Sequence, residues 1–109
     1  MAQDPQIRIK RGETFLLECS VSNPDGSPVD LTGWTIVSQI RDGHGVLISA
    51  LSVDIHTPAA GQYRLRGNDT DAWPPGRAHM DVAYTDVGGR ALTTETVAVE
   101  IEHEVTRRP

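Results

Sequence analysis

Apolar and polar residues alternate along most of this chain, and a period of two predicts strands. Ile7 and Ile9 alternate with Gln6, Arg8 and Lys10, a half-buried strand with a basic outer face. After Gly12, the side chains of Phe15, Leu17, Cys19 and Val21 share one face, with Glu18, Ser20 and Ser22 opposite. Asn23-Pro24-Asp25-Gly26-Ser27-Pro28 ends that run, because two prolines remove donors and Gly26 accepts positive φ. A third strand spans Trp34 to Asp42, with Trp34, Ile36 and Ile40 on one face and Ser38 interrupting it. Asp42-Gly43-His44-Gly45 reads as a hairpin turn. The returning strand begins with Val46 and Ile48, then switches parity to Leu51, Val53 and Ile55. A strand cannot change parity unaided, so a bulge or bend is predicted near Ser49-Ala50.

Thr57-Pro58-Ala59-Ala60-Gly61 forms the next turn, and Tyr63 and Leu65 then point inward. Asn68 to Trp73 reads as one helical turn, capped by Asn68 or Asp69 and stopped by Pro74 and Pro75. Ala78, Met80, Val82 and Tyr84 alternate cleanly, Asp86-Val87-Gly88-Gly89 turns the chain, and Val97, Val99 and Ile101 line a last strand. About seven strands with turn chemistry between each pair predict an all-β domain, an antiparallel immunoglobulin-like β-sandwich, with a small barrel as the alternative. At 109 residues this is one domain, 1–109, with polar terminal arms at about 1–6 and 104–109.

Composition narrows the function classes. No apolar run exceeds three residues, too short for a membrane-spanning helix or a secretory signal. A net charge of −5 argues against nucleic acid or an anionic membrane surface as partner. A single cysteine, Cys19, excludes an internal disulfide and suits a reducing compartment. Cys19 lies on an apolar strand face with no basic neighbour, which reads as a buried small hydrophobe.

Candidate chemistry is sparse. His44, His56, His79 and His103 fall in no close metal-binding pair. Asn68, Asp69 and Asp71 offer oxygens, without the glycine and terminal glutamate of a calcium loop. Gly88-Gly89-Arg90 sits beside Asp86 and reads as a turn, not an anion cradle. The expectation is therefore a protein with no catalytic residues, no cofactor and no metal. The candidates for partner contact are Trp73, Glu100, Glu102, Glu104, Arg107 and Arg108. The three glutamates alternate along the last strand, either as a solvated edge that resists aggregation or as an acidic strip for a basic partner. Trp73 lies in a loop, either plugging one end of the core or anchoring a partner.

Several strand starts and turns together resemble a known family. Arg11-Gly12-Glu13-Thr14-Phe15, Asp30-Leu31-Thr32-Gly33-Trp34 and Gln39-Ile40-Arg41-Asp42 come first in order. Gly61-Gln62-Tyr63, Trp73-Pro74-Pro75-Gly76 and Asp81-Val82-Ala83-Tyr84-Thr85-Asp86 follow. In order and spacing, from about Ile7 to Thr106, they resemble the small immunoglobulin-like domains of tailed bacteriophages, such as the N-terminal domain of baseplate upper proteins. The resemblance implies a structural virion protein, made and assembled in the bacterial cytoplasm. Its implied partners are other virion proteins of the tail or baseplate, or the major capsid protein, in a homo-oligomer or symmetric array. In baseplate proteins such a domain heads a longer polypeptide, so this chain is expected to be either a complete small virion protein or a trimmed domain. The competing class is a carbohydrate-binding adhesin using Trp73, Asp69 and Asp71 on the host surface.

Overall fold

A computed structural model describes residues 7–107. Met1–Gln6 of the N-terminal arm, with Arg108 and Pro109 of the C-terminal one, lie outside the described residues. The described chain is all-β, with eight strands: β1 (Ile7–Lys10), β2 (Phe15–Ser20), β3 (Thr35–Asp42), β4 (Leu47–Thr57), β5 (Gln62–Gly67), β6 (Gly76–Thr85), β7 (Ala91–Thr93) and β8 (Val97–Glu102). They follow one hydrogen-bonded path in the order β1-β8-β6-β3-β4-β5-β2, with β7 also on β6, a nearly closed barrel whose two ends are β1 and β2. Short 3-10 turns at Pro58–Ala60 and Thr70–Ala72 join the strands around β5.

Pairing is mixed, not wholly antiparallel. β1 runs parallel to β8, in the register Ile7↔Val99 to Lys10↔Glu102, while the other pairs are antiparallel. A parallel pair between the first and last strands needs a crossover through the whole domain, which no local period announces.

The core follows the alternation. Phe15, Ile36, Ile40, Leu51, Tyr63, Leu65, Met80, Val82, Val99 and Ile101 are buried, and Leu31 in the 21–34 connection is fully so. Ser38, the polar interruption on β3, is buried because its hydroxyl donates to the Asp81 carbonyl at 2.6 Å, which satisfies it inside the sheet. The parity change in β4 coincides with a register shift against β3. Ile40 pairs with Ser49 and Arg41 with Leu47, leaving Ile48 as the extra residue. β4 then changes neighbour, pairing with β3 through Leu51 and with β5 from Ser52. Asp25, Asp30, Asp42 and Asp86 each accept a backbone N–H two residues on, so four connections are fixed by aspartate turns.

Candidate functional site

Three segments far apart in sequence meet at one end of the barrel. The turn Arg11–Thr14 joins β1 to β2, residues 68–71 follow β5, and residues 104–107 follow β8. Thr70 ties the first two together: its buried hydroxyl donates to the Glu13 carbonyl and accepts the Gly12 N–H at 3.0 Å. Between the segments lies an open groove of about 590 Å³. Its floor holds Arg11 and Glu104, with the guanidinium Nε 3.8 Å from a carboxylate oxygen. That separation exceeds a hydrogen bond, and the buried Arg11 Nε–H has no acceptor among the described residues. Glu13, Asp69, Asp71 and Arg107 stand around the floor, all exposed. Asp69 has φ 54°, the one positive φ outside glycine among the described residues. Neither Asn68 nor Asp69 caps the following turn with its side chain; Asn68 instead accepts from Arg66 Nε at 3.0 Å.

The predicted contact residues fall in two different settings. Trp73 is 3% exposed and packs against Phe15, ring centroids 5.7 Å apart, so its ring belongs to the core and offers nothing to a partner. A sugar cannot stack on it, which removes the aromatic platform of the adhesin expectation. Glu100 and Glu102 do not line an edge, because β8 runs between β1 and β6. In register they face Arg8 and Lys10 on β1, and Glu100 also faces Arg77 on β6. The acidic strip thus meets a basic surface within its own sheet. Glu104 and Arg107 line the groove, while Arg108 lies outside the described residues. Arg11, Glu13 and Thr70 were not singled out by sequence as contact residues, because only the meeting of the segments gives them a common site.

The histidines stay apart. His44 sits exposed in its turn and His103 beyond β8, while His79 on β6 faces Arg41 and Ala98 in register. His56 Nε2 lies 3.0 Å from Glu18, which also accepts from Arg64 Nε. Arg64 first, and His56 second, hold the Glu18 carboxyl below its ordinary range. Among the described residues, no three His, Cys, Asp or Glu side chains are grouped to hold a metal ion.

At another point in the core Tyr63 and Tyr84 share a hydrogen bond at 2.6 Å, and Trp34 meets Tyr84 edge-on at 6.1 Å. Burial above all pushes both phenols above the usual tyrosine range, and burial likewise raises the Cys19 thiol, which leaves it a weak nucleophile. The folded state therefore keeps both phenols protonated where the unfolded chain, with tyrosines near pH 10, releases them. Their contribution to stability is full below about pH 10 and declines as pH rises beyond it. These are the only two tyrosines, so tyrosinate absorbance should appear together with loss of the β-sheet circular-dichroism signal. Reversible ionisation near pH 10 in the intact fold would contradict this packing.

No protein-family model matches the chain, and no curated protein matches it in sequence. Among solved structures it is similar to CopC from Methylosinus trichosporium OB3b, with TM-score 0.61, 10% identity, and coverage of 96% of this chain and 91% of that one. At that identity the likeness concerns the fold alone. It also aligns with a nucleoside hydrolase-related hypothetical protein from Saccharophagus degradans associated with carbohydrate metabolism. That alignment covers 90% of this chain and 22% of the other at 16% identity, and its TM-score of 0.38 carries no argument.

Proposed function

We propose that this domain is a structural subunit of a tailed-bacteriophage particle, joining neighbouring subunits in the tail or baseplate or on the capsid surface by contact rather than by chemistry. The observation that carries the reading is the open seam. Among the described residues the strand path ends at β1 and β2 without closing, and these edges stand beside a polar groove at the same end of the barrel. Edges and grooves of this kind are where subunits add to one another. The order of motifs along the chain supports the phage setting: four lie at turns leading into β2, β3, β5 and β6, and residues 39–42 and 81–86 close β3 and β6.

The finer architecture is read as an immunoglobulin-like sandwich. The change of neighbour within β4 divides the strands into two groups, β1, β8, β6, β7 and β3 on one side and β5 with β2 on the other. In this reading the protein belongs in the virion, with copies of itself or other virion proteins as partners.

Quantitative mass spectrometry of purified particles that encode this chain tests the proposal. A copy number close to that of the major capsid protein, or a simple fraction of it, supports a decoration or cement role. A ratio in the low per cent range supports a tail or baseplate role. Absence from particles overturns the proposal.

A further inference from the structure

The two open strand edges are guarded unequally. The Arg11 N–H donates to the Glu102 carbonyl at 2.9 Å, so by alternation Ile9 also faces β8, and Arg8 and Lys10 turn their backbone groups outward. Lys10 is covered: its N–H donates to Glu13 Oε1 at 2.7 Å, and its carbonyl accepts the Glu13 N–H at 3.2 Å. On β2 the Val21 N–H donates to the Gly61 carbonyl at 2.8 Å, in the same register that pairs Phe15 with Gly67. Alternation then aims the backbone groups of Leu16, Glu18 and Ser20 at the open side. Edge strands are normally protected by proline, lysine or a bulge, and β2 has none of these. Its one charge, Glu18, is held by Arg64 and His56. Leu16 stands 51% exposed on this edge.

Between the edges lies a slot of about 250 Å³, walled by Ile7, Arg8 and Ile9 on one side and by Phe15, Leu16 and Leu17 on the other. Glu13 and Thr14 line both this slot and the polar groove, so the two form one continuous track. The groove end gathers four carboxylates against two guanidiniums and contains the Arg11 Nε–H that lacks an acceptor among the described residues. A small cation meets Arg11 at the floor, and a small anion meets carboxylates around it. A polypeptide answers both demands, with a backbone carbonyl for Arg11 and a basic side chain for the acids, while its own edge groups pair with β2.

We propose, building on the virion reading, that this track receives an extended segment of a neighbouring subunit carrying an arginine or lysine, added as a strand beside β2. The probe is the capped peptide Thr-Val-Arg-Val-Thr, titrated into the isotope-labelled full chain and followed by NMR. Two counterparts control for charge and for strand pairing: Thr-Val-Glu-Val-Thr and Thr-Pro-Arg-Pro-Thr. The arginine peptide should shift the amides of Leu16, Glu18 and Ser20 and protect the Arg11 Nε–H, which gains an acceptor. The other two peptides should bind about tenfold more weakly or not at all, one repelled by the acids and one lacking the backbone N–H groups of its second and fourth residues. Asp71→Asn, at an exposed position, should keep the fold and weaken the arginine peptide alone. Absence of shifts, shifts confined to another surface, or equal binding of either counterpart overturns the proposal. A chain abundant in particles that ignores these peptides refutes the track and leaves the virion role standing; a chain absent from particles refutes that role itself.

Discussion

Replacing Trp73 by alanine should destabilise the folded protein by about 3–5 kcal/mol, the range for deleting a buried large aromatic. The indole is 3% exposed and belongs to the hydrophobic core. It meets Phe15 at a ring separation of 5.7 Å and an interplanar angle of 49°, a tilted arrangement that adds to plain burial. Gly67 on β5 makes room for it: a Cβ there would stand 2.9 Å from two indole carbons and 3.1 Å from Leu51 Cδ2. Nothing small can collapse into the space, because β5 and the 3-10 turn at Thr70–Ala72 are both fixed by hydrogen bonds. Chemical denaturation of the variant should show a lower midpoint with an unchanged slope, and Trp73→Phe should recover part of the loss. A cost under about 1 kcal/mol would mean that the indole is not packed as described. Any binding defect of the alanine variant must therefore be corrected for its unfolded fraction before Trp73 is credited with touching a ligand.

Trp73 also shows where local sequence stops being informative. Its position before Pro74-Pro75 suits a plug and a contact residue equally, and only the facing Phe15 and the absent side chain at Gly67 decide between them. Strands with a clean period of two were legible: β2, β3 and β6 fall where Phe15, Ile36 and Met80 start or carry their alternation. The parity change in β4 was legible too, because a two-residue period leaves no other way to move the apolar face, and the extra residue is Ile48, just ahead of Ser49-Ala50. β7 escaped notice since its three residues, Ala91–Thr93, are all exposed and bury no face. The larger gap was in the neighbours. Glu100 and Glu102 look like an edge along the chain, but β1 reaches them across nearly the full length of the sequence and brings Arg8 and Lys10 alongside. The groove escaped for the same reason: Arg11, Thr70 and Glu104 become a site only through long-range pairing, which composition and period do not specify.

Gly61→Ala should destabilise by about 2–4 kcal/mol, through the backbone and without removing any core side chain. Gly61 adopts φ 69° and ψ 26° at the end of the Pro58–Ala60 turn, a left-handed conformation in which a Cβ is strained. Space is the larger obstacle. A Cβ would sit 2.4 Å from the Val21 carbonyl oxygen and 2.8 Å from that of Val29, both backbone atoms that cannot rotate away. Those atoms belong to a clamp: Val21 N–H donates to the Gly61 carbonyl at 2.8 Å, Val29 N–H to Val21 at 3.0 Å, and Leu31 N–H to Pro58 at 2.8 Å. Pushing them apart loosens the end of β2 and withdraws Leu31, which is completely buried. Gly26, also at positive φ but with open space around its Cβ position, is the control. Alanine there meets the conformational strain alone and should cost about 1 kcal/mol. The difference between the two variants in denaturant midpoint isolates the steric part. Equal costs at the two positions would show that the 21–31 connection moves aside freely, and that β2 is held by its pairing with β5 and not by this clamp.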